Sequence, residues 1–262
     1  MFKFLLTPRW IALSLAFLLA LPAFDALSQW QWRRLHQRQQ YNVQIKKAQS
    51  LPPIDEAKLV RRTLNSGRND TYSFPPTAQW RAVQVIGTWD ESAQVLVRKK
   101  SLESDLGFWV ITPLVTADGH SILINRGWTA ATKSAIDSPS VSPVPAGLIE
   151  VAGRVQIVKP RQDAKPQDLP VGQVDTIVPD EIVAKYPVVS NAYLEMSASR
   201  PNSLTPELRV LPAPEVTEGP HRSYALQWIF FAIMTVIGWG VLVRNEYLTR
   251  LQGAGLTKSD IE

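Results

Sequence analysis

None of the 262 residues is cysteine. That absence excludes a disulfide framework, a thiolate-held zinc or copper site, an iron–sulfur cluster and a c-type haem attachment. Histidine is nearly as scarce, at three, which leaves little for a metal cage. Glycine is low at 13 and proline high at 20, an imbalance that argues against Gly-rich phosphate loops. Charged residues make up 19%, below the roughly 25% usual for soluble domains. The net charge of +5 is mild. With no basic stripe and no nucleic-acid motif, it fits membrane flanks better than phosphate binding. What is present is apolar: nine Trp, six Tyr, eight Phe and 45% hydrophobic residues. Such a chain can bury a core, which excludes disorder.

Two apolar stretches account for the charge deficit. Trp10 to Leu27 reads WIALSLAFLLALPAFDAL, about 18 residues and just enough for a spanning helix. Trp10 and Trp30 bracket it at about 30 Å, one bilayer core, at the interface that tryptophan prefers. A cleaved signal peptide is the alternative, since Lys3 and Arg9 form a basic start, but Asp25 spoils a small-residue cleavage site. Tyr224 to Val243 reads YALQWIFFAIMTVIGWGVLV, followed at once by Arg244. About 20 nearly uniform apolar residues favour lipid over a buried core helix. Lysines and arginines near the first span favour a cytoplasmic central region. Those near the second favour a cytoplasmic C-terminus, so charge alone leaves the sidedness open.

The expected organisation is residues 1–9 as a cytoplasmic N-terminus, 10–29 as the first transmembrane helix and 30–50 as an amphipathic helical extension. Residues 51–79 read as a linker, bounded by Pro52-Pro53 and containing Pro75-Pro76. Residues 80–218 read as a β-rich extracytoplasmic domain, 219–243 as the second transmembrane helix and 244–262 as a cytoplasmic tail. Within the domain, Trp80 to Trp89 alternates in the manner of a strand. Phe108–Val115 and Ser121–Trp128 flank Asp118-Gly119, a hairpin signal if both turn residues take positive φ. Ile149–Val158 is another strand with a bulge at Gly153. Asp180–Tyr186 reads as a short helix, and Ala192–Met196 and Leu208–Leu211 as closing strands. The fold class is therefore a membrane protein: two transmembrane helices flanking a mostly-β, antiparallel, barrel-like domain.

Catalytic signatures are missing: no P-loop, no dinucleotide fingerprint, no H-E-x-x-H and no G-x-S-x-G. Ser134 follows Lys133 and Ser101 follows Lys100, but neighbours in a strand point to opposite faces and make no dyad by themselves. The chain is not expected to be an enzyme. His120 reads as an exposed turn residue and His36 as a solvated flank. His221, preceded by Gly219-Pro220, shares a helix face with Tyr224 and Trp228 at i, i+3 and i+7. An imidazole above two aromatic rings suits axial ligation of a haem iron. By themselves these residues fit an aromatic belt with a snorkelling histidine better.

Four blocks point to a family. Trp30-Gln-Trp-Arg-Arg34 after the first span resembles the W-Q-x-x-R element of the Surfeit locus protein 1 family. Trp80-Arg81 to Gly87-Thr-Trp89 is similar to its first strand motif. Gly107-Phe-Trp-Val-Ile-Thr-Pro-Leu114, then Gly119 through Asn125-Arg-Gly-Trp128, resemble its central block. His221-Arg-Ser-Tyr-Ala-Leu-Gln-Trp228 resembles H-x-x-Y-A-x-Q-W at the entry to the second span. The resemblance implies an assembly factor for haem–copper cytochrome c oxidase, acting where haem a enters subunit I. It implies haem a as transient cargo and His221 as iron ligand, with Tyr224 and Trp228 as cofactor-binding companions. It also puts the central domain outside the membrane. Expected partners are cytochrome c oxidase subunit I, haem a synthase and the lipid bilayer, with no nucleic acid. A purely structural scaffold for an oxidase intermediate is the alternative. The first span begins about ten residues in, which favours a bacterial plasma membrane over a mitochondrial transit peptide. Ser28 stands where a glycine is common. The sequon at Asn69 is taken as chance.

Overall fold

The computed structural model describes residues 3–64, 70–132, 137–158 and 169–253. The Lys133–Ser134 pair, Asn69 and the tail from residue 254 lie outside the described residues. In chain order the elements begin with helix α1 (Pro8–Gln49) and strands β1 (Ile54–Asp55), β2 (Arg61–Thr63), β3 (Thr71–Ser73), β4 (Ala82–Trp89) and β5 (Val95–Leu102). Strands β6 (Asp105–Thr116), β7 (Ser121–Ala130), β8 (Leu148–Ile157) and β9 (Gln173–Val174) follow. Helix α2 (Pro179–Ile182), strand β10 (Val188–Arg200) and helix α3 (His221–Gly253) complete the order. The chain divides into two units: residues 1–43 with 216–262, and residues 44–215.

The first unit is helical. Pro8 opens α1, where a missing N–H costs nothing. Pro22 is carried within the helix. The same helix continues through the polar stretch to Gln49 and ends ahead of Leu51-Pro52-Pro53, because a residue before proline resists the helical region. Both α1 and α3 are long and apolar enough to cross a membrane.

The second unit is a barrel. β4 pairs antiparallel with β8, β8 with β10, β7 with β6, and β6 back onto β4; β10 and β7 run parallel. The ring β4-β6-β7-β10-β8 is a closed five-stranded Greek-key barrel of the OB type. β5 extends β6, and β9 lies beside β5. Period-two alternation drives the assembly. Val83 and Val85 of β4 and Ile149, Val151 and Val155 of β8 point inward, to meet Leu114, Ile122, Ile124, Leu194 and Met196. β7 is buried on both faces, in keeping with its non-alternating Ile122-Leu123-Ile124 run. Its outer face, at Leu123, packs with Val97, Ile111, Ile177, Val183 and Val188 in a second core.

Glycines mark the tight places. A side chain at Gly87 would meet the Val115 carbonyl at 2.4 Å, where β4 closes onto β6. One at Gly107 would meet the Trp128 ring at 2.5 Å. That indole donates its N–H to the Lys100 carbonyl at 2.8 Å.

Several expectations are corrected. The described residues of the stretch 51–79 are part of the domain rather than a linker. β1 pairs parallel with β4, β3 pairs with β10 at Val189, and Tyr72, Phe74 and Ala78 lie in the barrel core. Strands of two and three residues are too short to show a period, so the prolines dominate the reading. The irregularity near Gly153 belongs to β10, where Ser197 is the extra residue between Met196 and Ala198. Leu208–Leu211 contributes a single bridge, Arg209 to Trp128. The helix expected over residues 180–186 is the one turn Pro179–Ile182. The hairpin turn is present, but of its two residues Gly119 alone has positive φ, at 80°. Its N–H donates to Thr116 O at 3.1 Å, and Thr116 N–H to His120 O at 2.9 Å, the pattern of a three-residue loop closed by a left-handed residue.

His120 is buried, not an exposed turn residue. Its Nε2 lies 3.0 Å from Glu56 Oε1 and its Nδ1 3.1 Å from Thr116 Oγ1. The Tyr72 ring stacks on it at 4.4 Å. Glu56, equally buried, comes from the stretch read as linker.

Two stability measurements follow. Gly119→Val should lower the unfolding free energy by about 1 kcal/mol or more, the cost of forcing a β-branched residue to positive φ; the space around Gly119 is open, so no clash contributes. Glu56→Ala should cost about 2 kcal/mol, because it strands a buried imidazole nitrogen, with Glu56→Gln costing less. Chemical unfolding of each variant reads both; an unchanged midpoint refutes the respective contact.

Candidate functional site

The chemistry foreseen for His221 sits at the head of the α1–α3 pair. Contacts rise along α1 as they descend α3, so the helices are antiparallel. The Trp239 Nε1–H donates to Ser14 Oγ at 3.2 Å. The Phe24 ring stacks on Trp228 at 5.9 Å. Ser28 Oγ donates to the Ala225 carbonyl at 3.1 Å. At the top, Gln31 Oε1 lies 2.9 Å from His221 Nδ1. The W-Q-x-x-R and H-x-x-Y-A-x-Q-W blocks, 190 residues apart in sequence at this contact, therefore meet at Gln31 and His221. Ser28, at the position where a glycine is common, is buried and occupied by this contact.

The lead into α3 is held as well. The Thr217 carbonyl accepts from Arg38 Nε at 2.9 Å and from Asn42 Nδ2 at 3.1 Å, and Glu218 accepts from Gln39 at 2.9 Å. Gly219, at φ 65°, turns the chain, and Tyr224 N–H donates to Pro220 O at 3.1 Å, so Pro220 caps the helix and His221 is its first residue.

This arrangement sets the histidine's chemistry. With the Gln31 carbonyl oxygen facing it, Nδ1 is the donor; in the neutral ring the lone pair then lies on Nε2, the tautomer suited to a metal. Nε2 has no partner among the described residues. A side chain at Gly219 would sit 3.7 Å from it; glycine leaves that approach open.

The three foreseen residues are not equivalent. His221 and Trp228 face α1. The Trp228 ring is taken up by Phe24 and, edge-on at 5.7 Å, by Phe231. Its role is to fix the helix pair. Tyr224, 46% exposed, faces outward beside the contact. His36 is exposed, its ring 6.4 Å from Trp32. Gln31, the residue that positions His221, was missed in sequence. The signal was a polar residue between two tryptophans, inside the motif.

The N-R-G-W block builds the barrel instead. Asn125 Oδ1 accepts from Gly127 N–H at 3.1 Å, and Arg126 is the extra residue where β7 steps against β6. The Arg126 side chain is fully buried. It donates to Gln94 Oε1 at 3.0 Å and lies 5.9 Å from the Trp89 ring. Burial pulls its proton affinity below the usual guanidinium range, with Glu91 and Glu207 opposing. Lys100 lies over the Trp109 ring at 4.2 Å, away from any role with Ser101.

Two long apolar helices at the ends of a chain whose middle is a closed Greek-key barrel define the class of membrane-type proteins to which the fold points. The chain belongs to the SURF1 family, whose model matches residues 18–233. A SURF1-like protein of Mycobacterium bovis is 29% identical over 251 residues, covering 94% of this chain and 88% of its own length. SURF1-like proteins of Mycobacterium tuberculosis match equally. A SURF1-like protein of Dictyostelium discoideum is 30% identical over 88 residues, 34% of this chain and 33% of its own. The family is linked to assembly of cytochrome c oxidase, and its members are assembly factors.

Proposed function

We propose that this chain is an assembly factor that holds haem a and assists its insertion into subunit I of haem–copper cytochrome c oxidase. Haem a is cargo, received at the membrane from the haem a synthase side and passed on; the chain carries out no catalysis of its own. Both helices cross the plasma membrane, both termini are cytoplasmic, and the barrel lies on the extracytoplasmic side. Family membership supports the oxidase role. The observation that carries the haem reading is the His221–Gln31 contact, which leaves Nε2 available beside a glycine. An imidazole so held binds iron without a change of tautomer. Nε2 would donate its lone pair to the iron of a bound haem; Gln31 orients the ring, and the Phe24–Trp228 stack fixes the helix that bears it.

Two experiments test the reading. In a host that makes haem a, the purified chain should carry a Soret band at near-stoichiometric level. His221→Ala should remove most of it at equal amounts of inserted protein, and Gln31→Ala should weaken it by roughly tenfold, as loss of an orienting partner does. Full occupancy with an unaltered spectrum in His221→Ala would refute the ligand and favour the scaffold role. A reporter active on the outer side only, fused after Glu262, should stay silent; activity would reverse the proposed sidedness.

A further inference from the structure

The helix head presents a positive surface on one flank, beside His221. At about 100° per residue, Phe24, Ser28, Gln31 and Asn42 form the stripe of α1 that meets α3, in accord with their contacts. Arg34 and Trp30 fall about 60° and about 100° to one side of Gln31. On α3, Tyr224 falls about 60° from His221 in the same rotational sense. Because the helices run antiparallel, equal senses bring these residues to one flank. Tyr224 stands one turn below His221, and Arg34 about one turn above Gln31.

The charge on that flank is uncompensated. Arg34 is exposed and forms no ion pair among the described residues. Its guanidinium lies 5.8 Å from the Trp30 ring centroid, and Trp30 is 45% exposed. A guanidinium that lies over an aromatic ring, with no acid as partner, keeps N–H groups for an incoming acid, and their fork matches a carboxylate. The acid in the lead into α3, Glu218, is held by Gln39, about 80° to the other side of Gln31.

We infer that the flank formed by Trp30, Arg34 and Tyr224 is a carboxylate-recognition surface, in which Arg34 pairs with the acid groups of a flat apolar ligand held at His221. The inference deepens the haem reading and rests on it: a haem is a planar macrocycle with two propionates. Arg34, on the side away from the apolar stretch of α1, would orient those propionates toward water and the rest of the ring toward lipid. Arg34 is thus a positioning and selectivity residue, while His221 is the iron ligand.

The test uses the full chain in lipid nanodiscs, titrated with ferric protoporphyrin IX and with its dimethyl ester. The native chain should prefer the diacid by about tenfold, the scale of one charge-assisted pair. Arg34→Gln should erase that preference by weakening the diacid alone, leaving diester affinity and the His221-dependent spectrum intact. Arg33→Gln, on the back of α1 about 160° from Gln31, should keep the preference. Equal binding of the two probes by the native chain, or equal weakening of both by Arg34→Gln, overturns the carboxylate surface. His221→Ala in the same titration separates the two ideas. A spectrum indifferent to His221, with the diacid preference intact, would sink the iron ligand and keep the surface; a His221-dependent spectrum with no preference would sink the surface alone.

Discussion

Three residue pairs between β4 and β6, Gly87 to Thr116 through Trp89 to Leu114, turn a curved sheet into a barrel. Without them, β4 and β6 would each present a row of unpaired backbone groups, which is costly in water and hazardous for association. The closure holds because residue 87 is glycine: the approach of the Val115 carbonyl leaves no room for a side chain. Closure in turn sets the strand order, and the order places β7 between β6 and β10. β7 is then buried on both faces, and its N-R-G-W block becomes a structural node in which Arg126 plugs the interior and Trp128 covers Gly107.

The helical unit obeys a different constraint. Apolar side chains interdigitate without fixing one register, so specific polar and aromatic contacts set that of the two helices. Here those contacts form a ladder, from Ser14 with Trp239 to Gln31 with His221. Its top rung is also the one with chemical potential, since the hydrogen bond that fixes the register fixes the imidazole tautomer too. Helix register and imidazole orientation therefore share one atom pair.

Much of the fold was legible. The apolar runs, the alternation in β4 and β8 and the turn around Gly119 are local signals set by side-chain periodicity and backbone sterics. The histidines were harder. His36 is exposed as its polar surroundings suggest, but His120 is buried because Glu56, far away in sequence, and Tyr72 come to meet it. Both partners lie in a proline-bounded stretch whose strands are too short for a period to show. His221, Tyr224 and Trp228 share a helix face at sequence level, yet Phe24 takes the Trp228 ring and leaves Tyr224 at the flank.

By itself, the sequence determined the two helices, the β character of the centre, the absence of thiol-based metal chemistry and the family blocks. Each of these depends on residue type and on spacing within a few turns. The tertiary structure decided which strands close the ring, that Tyr72, Phe74 and Ala78 enter the barrel core, and that Gln31 holds His221. These depend on contacts between residues far apart in the chain, where partner identity is fixed by packing and hydrogen-bond satisfaction rather than by any local pattern.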